Sequence, residues 1–106
     1  MNYRVFSTKS FDEKIEKLDS KEKGRIEKAV EQLKLNPFSG KPLGYRFFRE
    51  KKIGKNRLYF LVYQELIIVF LVDYSGKKDQ QKTINTIKLM MPEYKKLVQE
   101  IAKKQD

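Results

Sequence analysis

The densest chemistry in the chain lies between Lys41 and Arg57. Seven basic residues there (Lys41, Arg46, Arg49, Lys51, Lys52, Lys55, Arg57) face one acid, Glu50. Leu43, Tyr45, Phe47, Phe48 and Ile53 are interleaved with them. The stretch reads as two strand-like runs around the turn signal Gly54-Lys55-Asn56. A hairpin studded with cations suits a polyanion held against a sheet. RNA is the most economical polyanion, because it carries its own nucleophile, the 2′-hydroxyl. Attack on the adjacent phosphate needs no metal. It needs groups that orient the phosphate and stabilise growing negative charge, and preorganised cations do both. Across the short turn, Lys52 and Arg57 can converge on one phosphate. Arg57 opens a run of apolar strand residues, where a charge needs a reason.

A second basic segment is Gly76-Lys77-Lys78-Asp79-Gln80-Gln81-Lys82-Thr83, which leads into a helix N-terminus. Backbone N–H groups there favour an anion, and the flanking lysines reinforce them. The balance over the whole chain agrees: net charge is +10 in 106 residues. Residues 9–34 interleave Lys with Glu and Asp, as solvated helices do, whereas residues 41–57 do not balance. Nucleic acid or an acidic protein is the partner such clustering implies.

The residues that are missing narrow the chemistry. There is no cysteine, which excludes a thiol nucleophile, a disulfide framework and a thiolate metal site. There is no histidine, the usual general acid/base and the commonest metal ligand. No metal and no cofactor is expected. Any catalysis must use Lys, Arg, Glu, Asp or Tyr. The stretch Met1-Asn2-Tyr3-Arg4 lacks the apolar run of a signal peptide, and the longest aliphatic and aromatic run, residues 66–72, is far short of a membrane span. A cytoplasmic protein is expected.

The elements that would position these groups are legible from spacing. Residues 3–7 predict a short first strand. Ser10-Phe11-Asp12-Glu13 has capping-box form, with Ser10 as N-cap, and Phe11, Ile15 and Leu18 follow at helical spacing. Ser20 is expected to cap a second helix through Leu35, stopped by Asn36-Pro37. Residues 38–44, rich in Gly and Pro, predict a loop. Three strands are expected next, at about 45–53, 57–63 and 66–74, the last two joined by Gln64-Glu65. Clean alternation puts Tyr45, Phe47, Arg49, Lys51 and Ile53 toward the helices, and Arg46, Phe48, Glu50 and Lys52 on an exposed face. The last strand is continuously apolar, so it is expected to be central and covered on both faces. Residues 79–90 predict a helix. Pro92 is expected to interrupt it and start a tail helix, whose stripe of Tyr94, Leu97, Val98 and Ile101 packs on the sheet. The sum is one α+β domain over residues 1–106: a helical hairpin on a mostly antiparallel four-stranded sheet, in the order β-α-α-β-β-β-α. Residues 91–106 form its tail helix.

That order resembles the RelE/ParE superfamily of toxins from type II toxin–antitoxin pairs. The pattern N-P-x-x-G-K-P-L before the hairpin, R-E-x-K-I-G-x-x-R-L-x-x-x-V across it and G-K-K-D-Q-Q-K-T-I after it carry the resemblance, over roughly residues 3–90. The last segment looks most like the HigB-type branch. The resemblance implies a small ribosome-dependent endoribonuclease that cuts mRNA in the decoding site and is silenced by a cognate antitoxin. Arg57 matches the family's arginine at the start of the third strand and is expected to clamp the phosphate. Lys52 and Lys78 are expected to neutralise the transition state. Glu50 is the best carboxylate for the general base, with a lysine as the alternative. Arg49, Arg46, Lys77 and Lys82 are expected to bind the substrate. Where some relatives carry a C-terminal tyrosine, this chain has Ile84. Two other readings follow from the same surface: a ParE-like toxin that inhibits DNA gyrase, and a non-catalytic RNA-binding domain using Tyr59 and Phe48 to stack bases.

Overall fold

The run Ile68–Val72 is fully apolar because it has no solvent face: all five residues are buried. It forms most of β5 (Ile68–Gly76), which lies between β1 (Arg4–Ser7) and β4 (Asn56–Tyr63). Two further strands, β3 (Phe48–Ile53) and β2 (Lys41–Tyr45), complete a sheet of order β1-β5-β4-β3-β2. Only the β1–β5 pairing is parallel. The computed structural model describes residues 2–104. Met1 and residues 105–106, the ends of the expected domain and tail helix, lie outside the described residues.

Helices cover both faces. On one, α1 (Lys9–Glu16) and α2 (Ser20–Leu35) bury Phe11, Ile26, Ala29 and Leu33 against Leu58, Phe60, Val62, Val69 and Leu71. On the other, α3 (Gln80–Lys104) lays Ile84, Ile87 and Val98 over Phe48, Tyr59, Leu61, Phe70 and Val72. The α3 helix runs through Pro92, so no separate tail helix starts there. A proline inside a helix costs about 3 kcal/mol. Ile84 and Ile87 before it, and Tyr94, Val98 and Ile101 after it, all pack against the same cluster, and that shared apolar face holds both halves in line. Leu97, expected in the stripe, is 46% exposed.

The helix starts differ by one or two residues from the capping pattern. The N-cap of α1 is Thr8, whose Oγ1 accepts from the Phe11 amide at 3.0 Å; that of α2 is Asp19, accepting from the Glu22 amide at 2.8 Å. Ser10 falls inside the first turn because the Thr8 amide ends β1 by donating to Leu71 O.

The sheet has five strands rather than four. Lys41–Tyr45, most of it expected to be loop, pairs antiparallel with β3 and leaves Arg46-Phe47 as the turn between them, so of the expected strand over 45–53 only residues 48–53 form one strand. Pro42 is tolerated because β2 is an edge strand. Gly44 supplies a left-handed φ of +90° at the irregular end of the pairing. Gly40 precedes β2 with no room for a side chain: a Cβ there would lie 2.7 Å from Glu50 O. Gly40→Ala is expected to force β2 away from β3 and lower unfolding free energy by about 1–3 kcal/mol in chemical denaturation. The β4–β5 connection is also longer than two residues. A 3-10 turn over Gln64–Leu66 is followed by Ile67 at φ +56°, a strained position for a β-branched residue.

Candidate nucleic-acid interface

At one end of the sheet, β3, β4 and β5 bring Lys52, Arg57 and Ser75 side by side: Lys52 is the register partner of Arg57, and Arg57 of Ser75. Partners in register point to the same face. Two residues back along β3, Glu50 is therefore on that face too. Its Oε2 lies 3.0 Å from Arg57 Nε, with side-chain exposures of 6% for Glu50 and 12% for Arg57. The Nε–H has no aligned hydrogen-bond acceptor. The contact is a charge pair rather than a formed hydrogen bond, and the guanidinium meets the carboxylate by its inner edge. The other carboxylate oxygen, Oε1, accepts from Gln80 Nε2 at 2.8 Å. Gln80 is the first residue of α3, so this bond seats the helix N-terminus over the cation pair. The preceding 3-10 turn, Lys77–Asp79, follows directly on Ser75-Gly76 and presents exposed Lys77 and Lys78 at the same end.

The expected face division holds in parity but not in exposure. Phe48 and Glu50 share a face with Lys52, and α3 covers it, so only Lys52 is exposed. Tyr59 and Phe48, the aromatics offered for base stacking, have no exposed surface. Ile84, at the tyrosine position of some relatives, is likewise core.

Arg49 and Arg46 are elsewhere. The Arg49 guanidinium is buried on the α2 side of β3. Its Nε donates to Gly40 O at 3.0 Å, Nη1 to Arg46 O at 2.9 Å and Nη2 to Phe38 O at 3.0 Å, with a further bond from Nη2 to Gly40 O at 2.5 Å. Burial, then the nearby Arg46 charge, lower its pKa. Arg46 stacks over the Phe38 ring at 4.0 Å and donates to Gln64 Oε1 at 3.0 Å. It sits six residues along the chain from Lys52, roughly 20 Å at strand rise, near the opposite end of the sheet. Lys82 is exposed on the first turn of α3 and lines a polar cleft of about 280 Å³ with Lys14, Asp73, Ser75, Asp79, Thr83 and Thr86. Among the described residues, no group of three or more His, Cys, Asp or Glu side chains is placed to hold a metal ion.

No protein-family model and no curated protein sequence matches this chain. Solved structures do. A doubly substituted mutant of the E. coli toxin RelE in the free state superposes with a TM-score of 0.72 at 18% identity, covering 85% of this chain and 99% of that one. The archaeal RelE–RelB complex from Pyrococcus horikoshii gives 0.64 at 18% identity, covering 73% and 97%. A RelBE toxin–antitoxin complex from Mycobacterium tuberculosis gives 0.51 at 22% identity, covering 73% and 100%. The chain has the RelE toxin fold. No helix among the described residues is long and apolar enough to cross a membrane.

Within this RelE fold, several polar residues at the cation end have no motif to announce them. Thr83 Oγ1 donates to Ser75 Oγ at 3.1 Å, and Ser75 Oγ to Tyr59 OH at 3.2 Å, a hydroxyl chain that ends beside Glu50 and Arg57. Burial, more than the charges around it, raises the pKa of Tyr59. Gln80 is the partner that sequence reading missed. The one available signal is a polar residue at a helix start, three residues before Thr83.

On the opposite face, Glu22 of α2 ties down the same end of the sheet. Its Oε2 accepts from Tyr74 OH at 2.5 Å and from Asn56 Nδ2 at 2.7 Å. Burial, followed by the hydrogen bond to Glu22, pushes the Tyr74 phenol up to about 12 from its ordinary 10.0. The folded state thus favours the neutral phenol. Its contribution is complete below pH 10 and is lost as pH rises through 12. Unfolding free energy is expected to fall between pH 10 and 12, and Tyr74→Phe to flatten that fall; denaturant titrations across the range measure both.

Proposed function

We propose that the chain is the toxin of a toxin–antitoxin pair, of the HigB-like branch, and that it cuts mRNA on the ribosome by metal-independent attack of the 2′-hydroxyl. The observation that carries this reading is the Arg57–Glu50 pair beside Lys52 and the Lys77–Lys78 turn, all at one end of a RelE-type sheet. Arg57 is the phosphate clamp. Its stem is buried, its orientation is set by Glu50, and its outer edge is free for a bidentate contact. Lys52 and Lys78, on exposed positions either side, neutralise the charge that develops on the phosphoryl oxygens.

Glu50 takes a different role from the one its position in the sequence implied. One of its oxygens is committed to Arg57 and the other to Gln80, and the residue is buried. It holds Arg57 rather than reaching a 2′-hydroxyl. Arg49, satisfied by three backbone carbonyls on the other face, is a structural residue, and Arg46 lies too far along the sheet to share a phosphate with Arg57. Lys77 and Lys82 remain on the substrate side.

The proposed partners are mRNA on the cytoplasmic ribosome and a cognate antitoxin, acidic or amphipathic, to match the net charge of +10. The test is purified protein added to ribosomes programmed with a defined mRNA, with 5′ ends mapped afterward. Cleavage within the decoding site is expected. Intact message in every ribosomal state, with or without loss of DNA supercoiling by gyrase, removes the nuclease reading.

A further inference from the structure

Two aromatic rings stand in solvent at the turn of the β2–β3 hairpin, the end away from Arg57. The chain has seven Phe and six Tyr, and among the described residues only Tyr45 and Phe47 are exposed, at 47% and 40%. Their centroids lie 5.1 Å apart with the planes tilted by 36°. Rings left in water add little to the fold, and two side by side make a surface that a flat or apolar partner can cover.

The surroundings of the pair are cationic. Tyr45 is the register partner of Phe48, and Lys41 of Glu50. Tyr45 and Lys41 therefore point to the α3 side of the sheet, the side that carries Lys52 and Arg57. From α3, Lys88 Nζ comes to 6.0 Å from the Tyr45 centroid, and Lys95, two turns on, shares a cavity of about 520 Å³ with Phe47. The flank of α3 that meets the hairpin carries Gln81, Asn85, Lys88, Lys95 and Gln99 at helical spacing, all exposed. It holds amides and lysines and no acid. The two acids of α3, Glu93 and Glu100, fall on its solvent side, where Glu93 pairs with Lys96 at 3.8 Å. The row ends where Glu65 and the apolar Val62 and Leu66 take over the lining of the cavity.

Cations and rings thus alternate from Lys52 through Lys41, Tyr45, Lys88 and Phe47 to Lys95. An acidic peptide would match the lysines and leave the ring faces unused. A single RNA strand matches both, with phosphates for the lysines and bases for the rings. Four residues of β3 separate Lys52 from the partner of Tyr45, roughly 13 Å at strand rise, so a strand held by one phosphate on Arg57 reaches the rings within a few nucleotides.

We propose that Tyr45 and Phe47, with Lys88 and Lys95, form a stacking platform for single-stranded RNA, remote from the cleaved bond and indifferent to sequence. The inference rests on Arg57 as a phosphate clamp and adds the course of the strand beyond it. Every base has a π face, so the platform supplies affinity and direction rather than sequence choice.

The experiment titrates octauridylate and octaglutamate, which match in length and nearly in charge, against 15N-labelled protein. Octauridylate is expected to bind about tenfold tighter and to shift the amides of Tyr45, Phe47 and Lys88 together with those of Lys52 and Arg57. The double variant Tyr45→Leu with Phe47→Leu keeps an apolar turn and removes the ring faces. It is expected to weaken octauridylate about tenfold and leave octaglutamate unchanged. Lys88→Gln with Lys95→Gln should weaken both and flatten the salt dependence. Equal or tighter binding of octaglutamate, or a leucine variant that binds octauridylate like wild type, overturns the platform. Shifts confined to Lys52 and Arg57 also overturn it and leave the clamp standing. Shifts confined to Tyr45, Phe47 and Lys88 support the platform and remove the clamp. No binding of octauridylate overturns both.

Discussion

Arg57→Ala is expected to lower mRNA cleavage on programmed ribosomes by about a hundredfold or more, the loss typical of removing one preorganised transition-state donor. The same change should also destabilise the fold. It leaves Glu50 buried with only Gln80 for company, and stripping one partner from a buried pair costs about 3–5 kcal/mol. Activity and stability must therefore be separated. The double variant Arg57→Met with Glu50→Gln replaces both charges, retains the Gln80 contact in amide form and is expected to recover most of the stability but none of the cleavage. Glu50→Gln alone makes the complementary point. If Glu50 holds Arg57, the variant should lose about tenfold and keep the pH dependence of the wild type. If it takes the 2′-hydroxyl proton, the loss should reach two or more orders of magnitude, and the acidic limb of the pH profile should disappear. Recovery of cleavage in the double variant would remove Arg57 from the site altogether.

The parts of this molecule legible in the sequence are those set by one element at a time. Apolar spacing marked α2 closely, because its caps and its stop at Asn36-Pro37 are local. The alternation of β3 gave the right parity, and the unbroken apolar run gave the central strand. What failed depended on contacts between distant segments. Residues 41–45 look like a loop, since Pro42 and Gly44 oppose regular structure, yet they pair because Arg49 draws the Gly40 carbonyl in from the next strand. Pro92 looks like a break, yet packing on both sides of it outweighs the lost bond. The same limit applies to the site. Lys52 and Arg57 oppose each other across a short turn, so their juxtaposition was readable. Gln80 reaches Glu50 across 30 residues, and no local pattern encodes that. Nor does composition tell a cation paired with a carboxylate from one held by carbonyls. Arg57 and Arg49 are both arginines in the same basic hairpin.

That last distinction yields the sharpest stability effect. Arg49→Met is expected to cost about 3 kcal/mol or more, because it strips the donors from the carbonyls of Phe38, Gly40 and Arg46 while filling the same volume with an apolar chain. Those carbonyls belong to the segment that leads into β2 and to the turn that follows it. The loss should therefore appear first as fast amide exchange across residues 38–46, before global unfolding. Arg49→Lys should recover little: an ammonium on a flexible stem cannot span three carbonyls held by a planar fork, nor stack on Phe38 as the guanidinium does at 5.4 Å. Cleavage by the fraction that remains folded should stay within a few-fold of wild type, since Arg49 points away from Arg57 across the sheet. A stable Arg49→Met protein that no longer cuts mRNA would place this arginine on the substrate after all, and would mean that the carbonyl cage opens when RNA binds.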